Sequence, residues 1–429
     1  MGAFIFRSLR EHRVLIPYLL LHGLIFVVVF QGAPYEMLFA HDLNINYLYS
    51  SMIMDGQIPY LDFEVEYPPL ALLFMTLPGL LASSQAGYEI LFTLEMLILD
   101  LAGMLIIYSL SKRLELPVTK VLAVSTVSLL AVGPLIALRY DLAPAIMVLA
   151  SVFFFTRGNY KTAWALLALG VMTKLYPIVL APVFLLFHWR HHSKRRLLAG
   201  AGVFAATIAI VSIAPVIISP EGFWQSFAYH SQRPLQIEST YSSFLLLGQV
   251  FGITSLETDF SFGSTNIISP AADFFAGSYI WFTLIALAAV YWLFHKAGGR
   301  PPGPETGPDS DVAQANRLFT FSLLAILVFI VANKVLSPQF LIWLYPLVAL
   351  ANGRWRNAPW LMFVTIGLVT FFIYPVYYGG LTDIRAPAVI ILFLRNMSLI
   401  ALAILLAAGI KGGWKYLFGR RADKVLETG

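Results

Sequence analysis

The chain is a succession of apolar runs joined by short charged connections, and this alone restricts what it can become. A membrane helix needs roughly 20 mostly apolar residues, and on that rule spans fall at about 14–31, 88–110, 118–138, 142–157, 161–174, 175–189, 197–217, 276–295, 317–333, 340–352, 359–378 and 387–409. With 59% hydrophobic and only 12% charged residues, a soluble fold is excluded, because soluble domains carry about a quarter charged residues. In hydrocarbon every backbone polar group must be satisfied inside the chain, which an α-helix does by itself. The expected fold is therefore an all-α polytopic membrane protein of about 12 transmembrane helices. We read residues 1–429 as one membrane-embedded domain: N-terminal helices over 1–217 with a first outer loop at 32–87, a long outer loop at 218–275, and C-terminal helices over 276–429.

Charge placement orients these helices. All but six of the 28 Lys and Arg residues collect on one side when the N-terminus is inside and the stretch 67–85 is a juxtamembrane or re-entrant helix, broken as it is by Pro68, Pro69 and Pro78. Counting that stretch as a thirteenth span would reverse the bias at nearly every loop, against the positive-inside rule. Both termini are then expected in the cytoplasm of a multi-pass plasma-membrane protein, with the first apolar run retained as a helix because it shows no small-residue cleavage site. The net charge of +5 is a topology signal here and gives no reason to expect nucleic acid. There is no cysteine, so thiol chemistry and thiolate metal sites are excluded. Gly298–Asp311, GGRPPGPETGPDSD, reads as a flexible linker. No internal repeat is evident, which weighs against an inverted-repeat transporter.

The outer side gathers the chemistry. The stretch His41–Pro69 carries Asp42, Asp55, Asp62, Glu64 and Glu66 in a chain otherwise sparing with charge. After Asp42 it reads as a short amphipathic interfacial helix. Further on, Asp62, Glu64 and Glu66 alternate with Phe63, Val65 and Tyr67, so an extended chain puts the carboxylates on one side. The six basic residues left over are Arg139, Lys174, Arg233, Lys334, Arg385 and Arg395. Charges in or beside spans tend to be functional or paired. Arg139 and Asp141 could form a local ion pair, and Arg395, mid-span, is expected to meet Asp100. Lys174, His230, Arg233 and Lys334 suit a phosphate. Carboxylates with cations at head-group depth fit transfer of a group from a lipid phosphate, a carboxylate taking the acceptor's proton while cations stabilise the departing phosphate. The tract His188, His191, His192 is interleaved with Arg190, Lys194, Arg195 and Arg196 and reads as a topogenic or lipid-head-group segment rather than a metal site.

The order of GQIPYLDFEVEYPPLALL, ALRYDLAPA, GVMTKLYPIVLAP, YHSQRPLQIES and NKVLSPQFLIWLYP, after an early Asp in the first outer loop, resembles glycosyltransferase family 87 of the GT-C superfamily. That family includes polyprenyl-phosphate-mannose-dependent mannosyltransferases that build phosphatidylinositol mannosides. The resemblance implies a GT-C-like bundle with interfacial helices in the first outer loop. It also implies an inverting transfer of a sugar, mannose in those relatives, from a polyprenyl-phosphate donor to a lipid or glycan acceptor at the outer face. Asp42 then takes the general-base role, with Glu66 as rival base. His230, Arg233, Lys334 and Lys174 take the donor phosphate, and Glu238 positions a sugar hydroxyl or holds Arg233. Asp62, Glu64, Arg139 and Asp141 are candidates for substrate positioning. For Asp42 an N-cap role is the alternative. Relatives that use lipid monophosphates generally need no divalent metal, so no cofactor is expected, although Asp62, Glu64 and Glu66 could supply hard oxygen ligands. A transporter or flippase of a lipid-linked or anionic substrate is the competing reading.

Overall fold

Each expected span is helical in the computed structural model, which describes residues 13–30, 36–191, 194–297, 308–351 and 357–409. Both chain ends and most of the Gly298–Asp311 linker lie outside the described residues. Among the described residues, six helices are long and apolar enough to cross a membrane: Gln85–Arg113, Lys194–Ile218, Pro270–Ala297, Asp311–Ala332, Ala358–Val376 and Ala386–Gly409. The others are shorter, including Leu15–Val29, Val118–Val132, Leu142–Thr156 and Pro338–Val348. At a rise of about 1.5 Å per residue, 15 residues span only about 22 Å of a roughly 30 Å hydrocarbon core. For two of the short helices the shortfall falls inside protein. Leu142–Thr156 and Leu341–Val348 are almost wholly buried, so the irregular backbone at their ends is enclosed by neighbours rather than by lipid. The stretch 67–85 holds a short helix, Ala71–Thr76, and a 3-10 turn, Pro78–Leu80, as its three prolines require.

Close crossings and buried polar ties hold the bundle. At Gly367 a β-carbon would stand 2.7 Å from the Ala131 carbonyl oxygen, so the helix Ala358–Phe371 packs on Val118–Val132 only because that position is glycine. A buried network joins four helices. Asp100 Oδ2 meets His22 Nδ1 at 2.6 Å, and Asp100 Oδ1 accepts from the Tyr345 hydroxyl at 2.7 Å. Thr126 gives its own hydroxyl proton to the Leu122 carbonyl, so it accepts from His22 Nε2 at 3.0 Å. Asp100 is thereby committed to His22 and Tyr345, and the expected Arg395–Asp100 pair is corrected: Arg395 meets Glu238 at 3.6 Å and donates to the Glu238 backbone carbonyl. His188 is likewise no head-group ligand. It is fully buried against Phe155, Tyr160 and Trp164; the side chains of His191 and His192 lie outside the described residues.

The connection 218–275, expected as a loop, is folded. It holds the helix Pro220–Gln232, the helix Thr240–Val250 and a small antiparallel sheet of β1 (Leu235–Gln236), β2 (Glu257–Ser261) and β3 (Ser264–Ile268) in the order β1-β3-β2. Phe262 and Gly263, both at positive φ, turn the β2–β3 hairpin, matching the right-handed strand twist. Ser219 caps Pro220–Gln232, accepting from the Gly222 amide at 3.3 Å, and its hydroxyl donates to the Tyr60 carbonyl at 2.9 Å. A β-carbon at Gly222 would lie 2.0 Å from that same Tyr60 oxygen. Glycine is obligatory there, and the carboxylate-rich loop is pinned to the helix.

Removing Asp100 leaves His22 and Tyr345 without their acceptor in a dry interior. Asp100→Ala is expected to destabilise the protein by about 1–3 kcal/mol, read as a lower melting temperature in detergent. His22→Ala combined with Asp100→Ala should cost little more than either change alone, because both break one network.

Candidate active site

The site is built where helices stop. Tyr160–Thr173 ends before Lys174, and the chain resumes as a 3-10 turn at Tyr176, because Pro177 lacks the amide that a continuing helix needs. Pro308–Ala332 ends at Ala332, whose carbonyl accepts from the Tyr241 hydroxyl at 2.8 Å and the Thr283 hydroxyl at 2.8 Å; Lys334 follows in irregular chain. Gln236 clasps that segment. Its amide donates to the Lys334 carbonyl at 3.1 Å, its side-chain oxygen accepts from Leu336 N at 2.8 Å, and its side-chain nitrogen donates to Ser337 Oγ at 3.0 Å.

These ends enclose a cavity of about 260 Å³ lined by Glu66, Lys174, His230, Arg233 and Lys334 together with Tyr176, Tyr279, Phe329, Phe340 and Trp343. Each residue singled out for a phosphate therefore reaches one cavity, although they come from three separate parts of the chain. Arg233 Nη2 donates to Ser264 Oγ at 2.9 Å, and Lys334 Nζ donates to the Ser231 carbonyl at 2.8 Å and lies 4.9 Å from the Tyr279 ring centre. Among the described residues the buried Arg233 Nε and Tyr176 hydroxyl have no hydrogen-bond partner. Buried polar groups are ordinarily satisfied, so these two are suited to a ligand. Glu66, the cavity's carboxylate, is faced by the Tyr67 and Tyr229 hydroxyls.

Electrostatics follow from crowding cations in a half-buried space. Burial first, and the Arg233 guanidinium second, pull the Lys334 ammonium down to about 8. The same two causes lower His230, with Glu66 opposing them. His230 Nε2 donates to the Glu66 backbone carbonyl at 2.9 Å, so only a protonated ring offers Nδ1–H to an anion.

Beside the large cavity lies a small polar one of about 20 Å³, lined by Asn46, Arg139, Asp141 and Lys174 among others. Lys174 stands in the wall that the two share, and its Nζ donates to Asp141 Oδ1 at 2.7 Å. Asp141 thus serves Lys174. Position 42 lies in the helix Glu36–Met54, well past its first residue, so the N-cap reading of Asp42 does not hold. It sits one turn before Asn46 on the same helix face; the Asp42 side chain itself lies outside the described residues.

The other candidates are elsewhere. Asp62 accepts from the Ile58 amide at 2.7 Å in an exposed turn, Glu64 is exposed, and neither lines the cavity. Glu238 is buried against Arg395 rather than Arg233; burial pushes its carboxyl up to about 7 against the pull of Arg395. Sequence reasoning missed Gln236 and Trp343, a polar and an aromatic residue with nothing local to mark them.

The family model for glycosyltransferase family 87 matches residues 66–304, more than half of the chain and inclusive of Glu66, Lys174, His230 and Arg233. The chain belongs to glycosyltransferase family 87. Compared with curated proteins, it has no match. Family membership makes the protein a glycosyltransferase, so it uses a sugar donor and an acceptor, and the cation-rich cavity is its candidate active site.

Because burial and Arg233 lower the Lys334 ammonium to about 8, affinity of the cavity for a phosphate-bearing ligand is expected to be full below that pH and to fall as pH rises through it. Arg233→Gln removes one of the two causes and should move this limb to higher pH, measured as donor binding across pH 6–10, a range set by the ordinary lysine value of about 10.4.

Proposed function

We propose that the protein moves a sugar, mannose by analogy with the resembling mannosyltransferases, from a polyprenyl-phosphate donor to the hydroxyl of a lipid or glycan acceptor, with inversion. The observation that carries this reading is the convergence of Lys174, His230, Arg233 and Lys334 on one cavity with an otherwise largely apolar, aromatic lining. Cations in the lining suit a phosphate, and its apolar part suits the isoprenoid that follows it. The irregular ends of Tyr160–Thr173 and Pro308–Ala332 lie at the cavity, while Lys161, Arg190, Lys194 and Lys296 lie toward the other helix ends. By the positive-inside rule that basic end is cytoplasmic and the cavity faces outward, with both termini inside.

In the reaction, Asp42 removes the proton of the acceptor hydroxyl. That oxygen attacks the anomeric carbon from the side opposite the phosphate, the new C–O bond forms, and the bond from the anomeric carbon to the phosphate oxygen breaks with its electron pair leaving on the phosphate. Arg233, Lys334 and Lys174, with His230 when protonated, meet the charge that develops there. Glu66, which faces the same cavity, is the rival base. These residues suffice to balance a monophosphate, and the reading assigns no metal. Transport is less well supported, since coupling charges belong near the membrane midplane on broken helices of related halves.

The test is sugar transfer by purified protein from radiolabelled polyprenyl-phosphate-mannose to total lipid extract, with chelator in parallel. Asp42→Asn is expected to lower transfer by about 10²–10⁴-fold, the usual contribution of a general base, with donor binding retained. Full turnover in that variant moves the base to Glu66, and vectorial uptake into sealed vesicles without a new glycosidic bond supports transport instead.

A further inference from the structure

Trp343 is buried in the short helix Leu341–Val348 and would ordinarily count as packing. Two aromatic rings stack on it. Tyr176 stacks on one at a centroid distance of 4.0 Å and 3° between planes, and Phe340 lies on the indole at 3.9 Å and 22°. An indole stacked in this way is fixed in direction. What it offers is an edge, and its Nε1–H donates to Asp141 Oδ1 at 2.7 Å, the same oxygen that takes Lys174 Nζ at 2.7 Å.

Asp141 breaks a local rule to do this. It occupies the N-cap position of Leu142–Thr156, where aspartate normally binds a backbone amide of the first turn, yet its side chain makes no capping bond. Its own backbone is helical, at φ −53° and ψ −23°, and the third helical residue is Pro144, which has no amide to cap, so the carboxylate is left for Trp343 and Lys174. Lys174 is enclosed on the same side: its ammonium lies 4.8 Å from the Tyr140 ring centre and 5.7 Å from that of Trp343. An ammonium has three donors. Asp141 takes one, and Lys174 also lines the cavity that holds Arg233 and Lys334, so a donor remains for an anion there.

We propose that Trp343 is a positioning residue for the Lys174 ammonium, acting through Asp141. The stacked indole fixes the direction of one N–H, that N–H fixes the carboxylate and offsets part of its charge, and the carboxylate holds the ammonium at the wall between the two cavities without fully neutralising it. Loss of the N–H leaves Asp141 to draw Lys174 more strongly and away from an incoming phosphate. The inference rests on the reading of the cavity as a donor-phosphate site.

The experiment measures the affinity of the purified full chain for a short-chain polyprenyl phosphate. Four proteins are compared: wild type, Trp343→Phe, Lys174→Gln and the double variant. Phenylalanine keeps an aromatic ring between Tyr176 and Phe340 and removes the N–H. As a second replacement, benzothienylalanine at 343 keeps the bicyclic shape and removes only the N–H, and thermal melting checks that each protein is folded. Trp343→Phe is expected to weaken binding about tenfold, within the range for a hydrogen bond to a charged group, and to weaken it no further when Lys174 is already glutamine, because the indole acts only through that lysine. Equal losses in both backgrounds, or no loss with either replacement, overturn the positioning role while leaving the donor site intact. Failure of the wild type to bind any polyprenyl phosphate removes the donor-site reading and the inference with it.

Discussion

In hydrocarbon a backbone amide or carbonyl has no solvent to turn to, so regular helix is obligatory wherever the chain faces lipid. Chemistry needs side chains held in irregular backbone, and the two demands meet only where protein surrounds the irregularity. This bundle arranges that by combining long outer helices with short buried ones such as Leu142–Thr156 and Leu341–Val348. The short helices stop inside the bundle. Their ends, with those of Tyr160–Thr173 and Pro308–Ala332, supply Asp141, Lys174 and Lys334 to two adjoining cavities that share Lys174. Freed carbonyls are answered by side chains, as at Ala332.

A second group of contacts sets the position of the cations. Arg233 leaves the end of Pro220–Gln232 and is held by Ser264 of β3, while Gln236 of β1 clasps the segment that carries Lys334. The small sheet thus sets the spacing of two cations that repel each other. Lys334, lowered to about 8 by burial and by Arg233, carries the signature of a site whose charge is incompletely balanced without a ligand, as perturbed groups in clefts commonly are.

Much of this is written plainly in the sequence, and the rest is absent for a physical reason. Apolar length marked the spans, and cations stranded on the wrong side of a charge bias marked Lys174, Arg233 and Lys334, because a stray charge is costly enough to need a purpose. Partner choice was not legible. Arg395 and Asp100 both lie mid-span, yet depth along a helix says nothing of rotation about it, and the packing gives Asp100 to His22 and Tyr345 and Arg395 to Glu238. Gln236 and Trp343 escaped notice because their roles depend on residues 98 or more positions away: Ser337 Oγ is 101 residues from Gln236, and Asp141 is 202 from Trp343. The folded character of 218–275 was hidden by its length and polarity, which resemble a loop until the strands pair.

The contact between Gly222 and the Tyr60 carbonyl has a mechanical consequence. With Ser219 bonded to the same oxygen and His230 bonded to the Glu66 carbonyl, the loop 60–66 and the helix Pro220–Gln232 are riveted at both ends and move as one plate. One side of the cavity is therefore stiff. Tyr279, Ile280 and Thr283 of Pro270–Ala297 also line the cavity, and Thr283 is tied in turn to the Ala332 carbonyl, so the cavity's outline is set by contacts between segments far apart in the chain and not by any one helix.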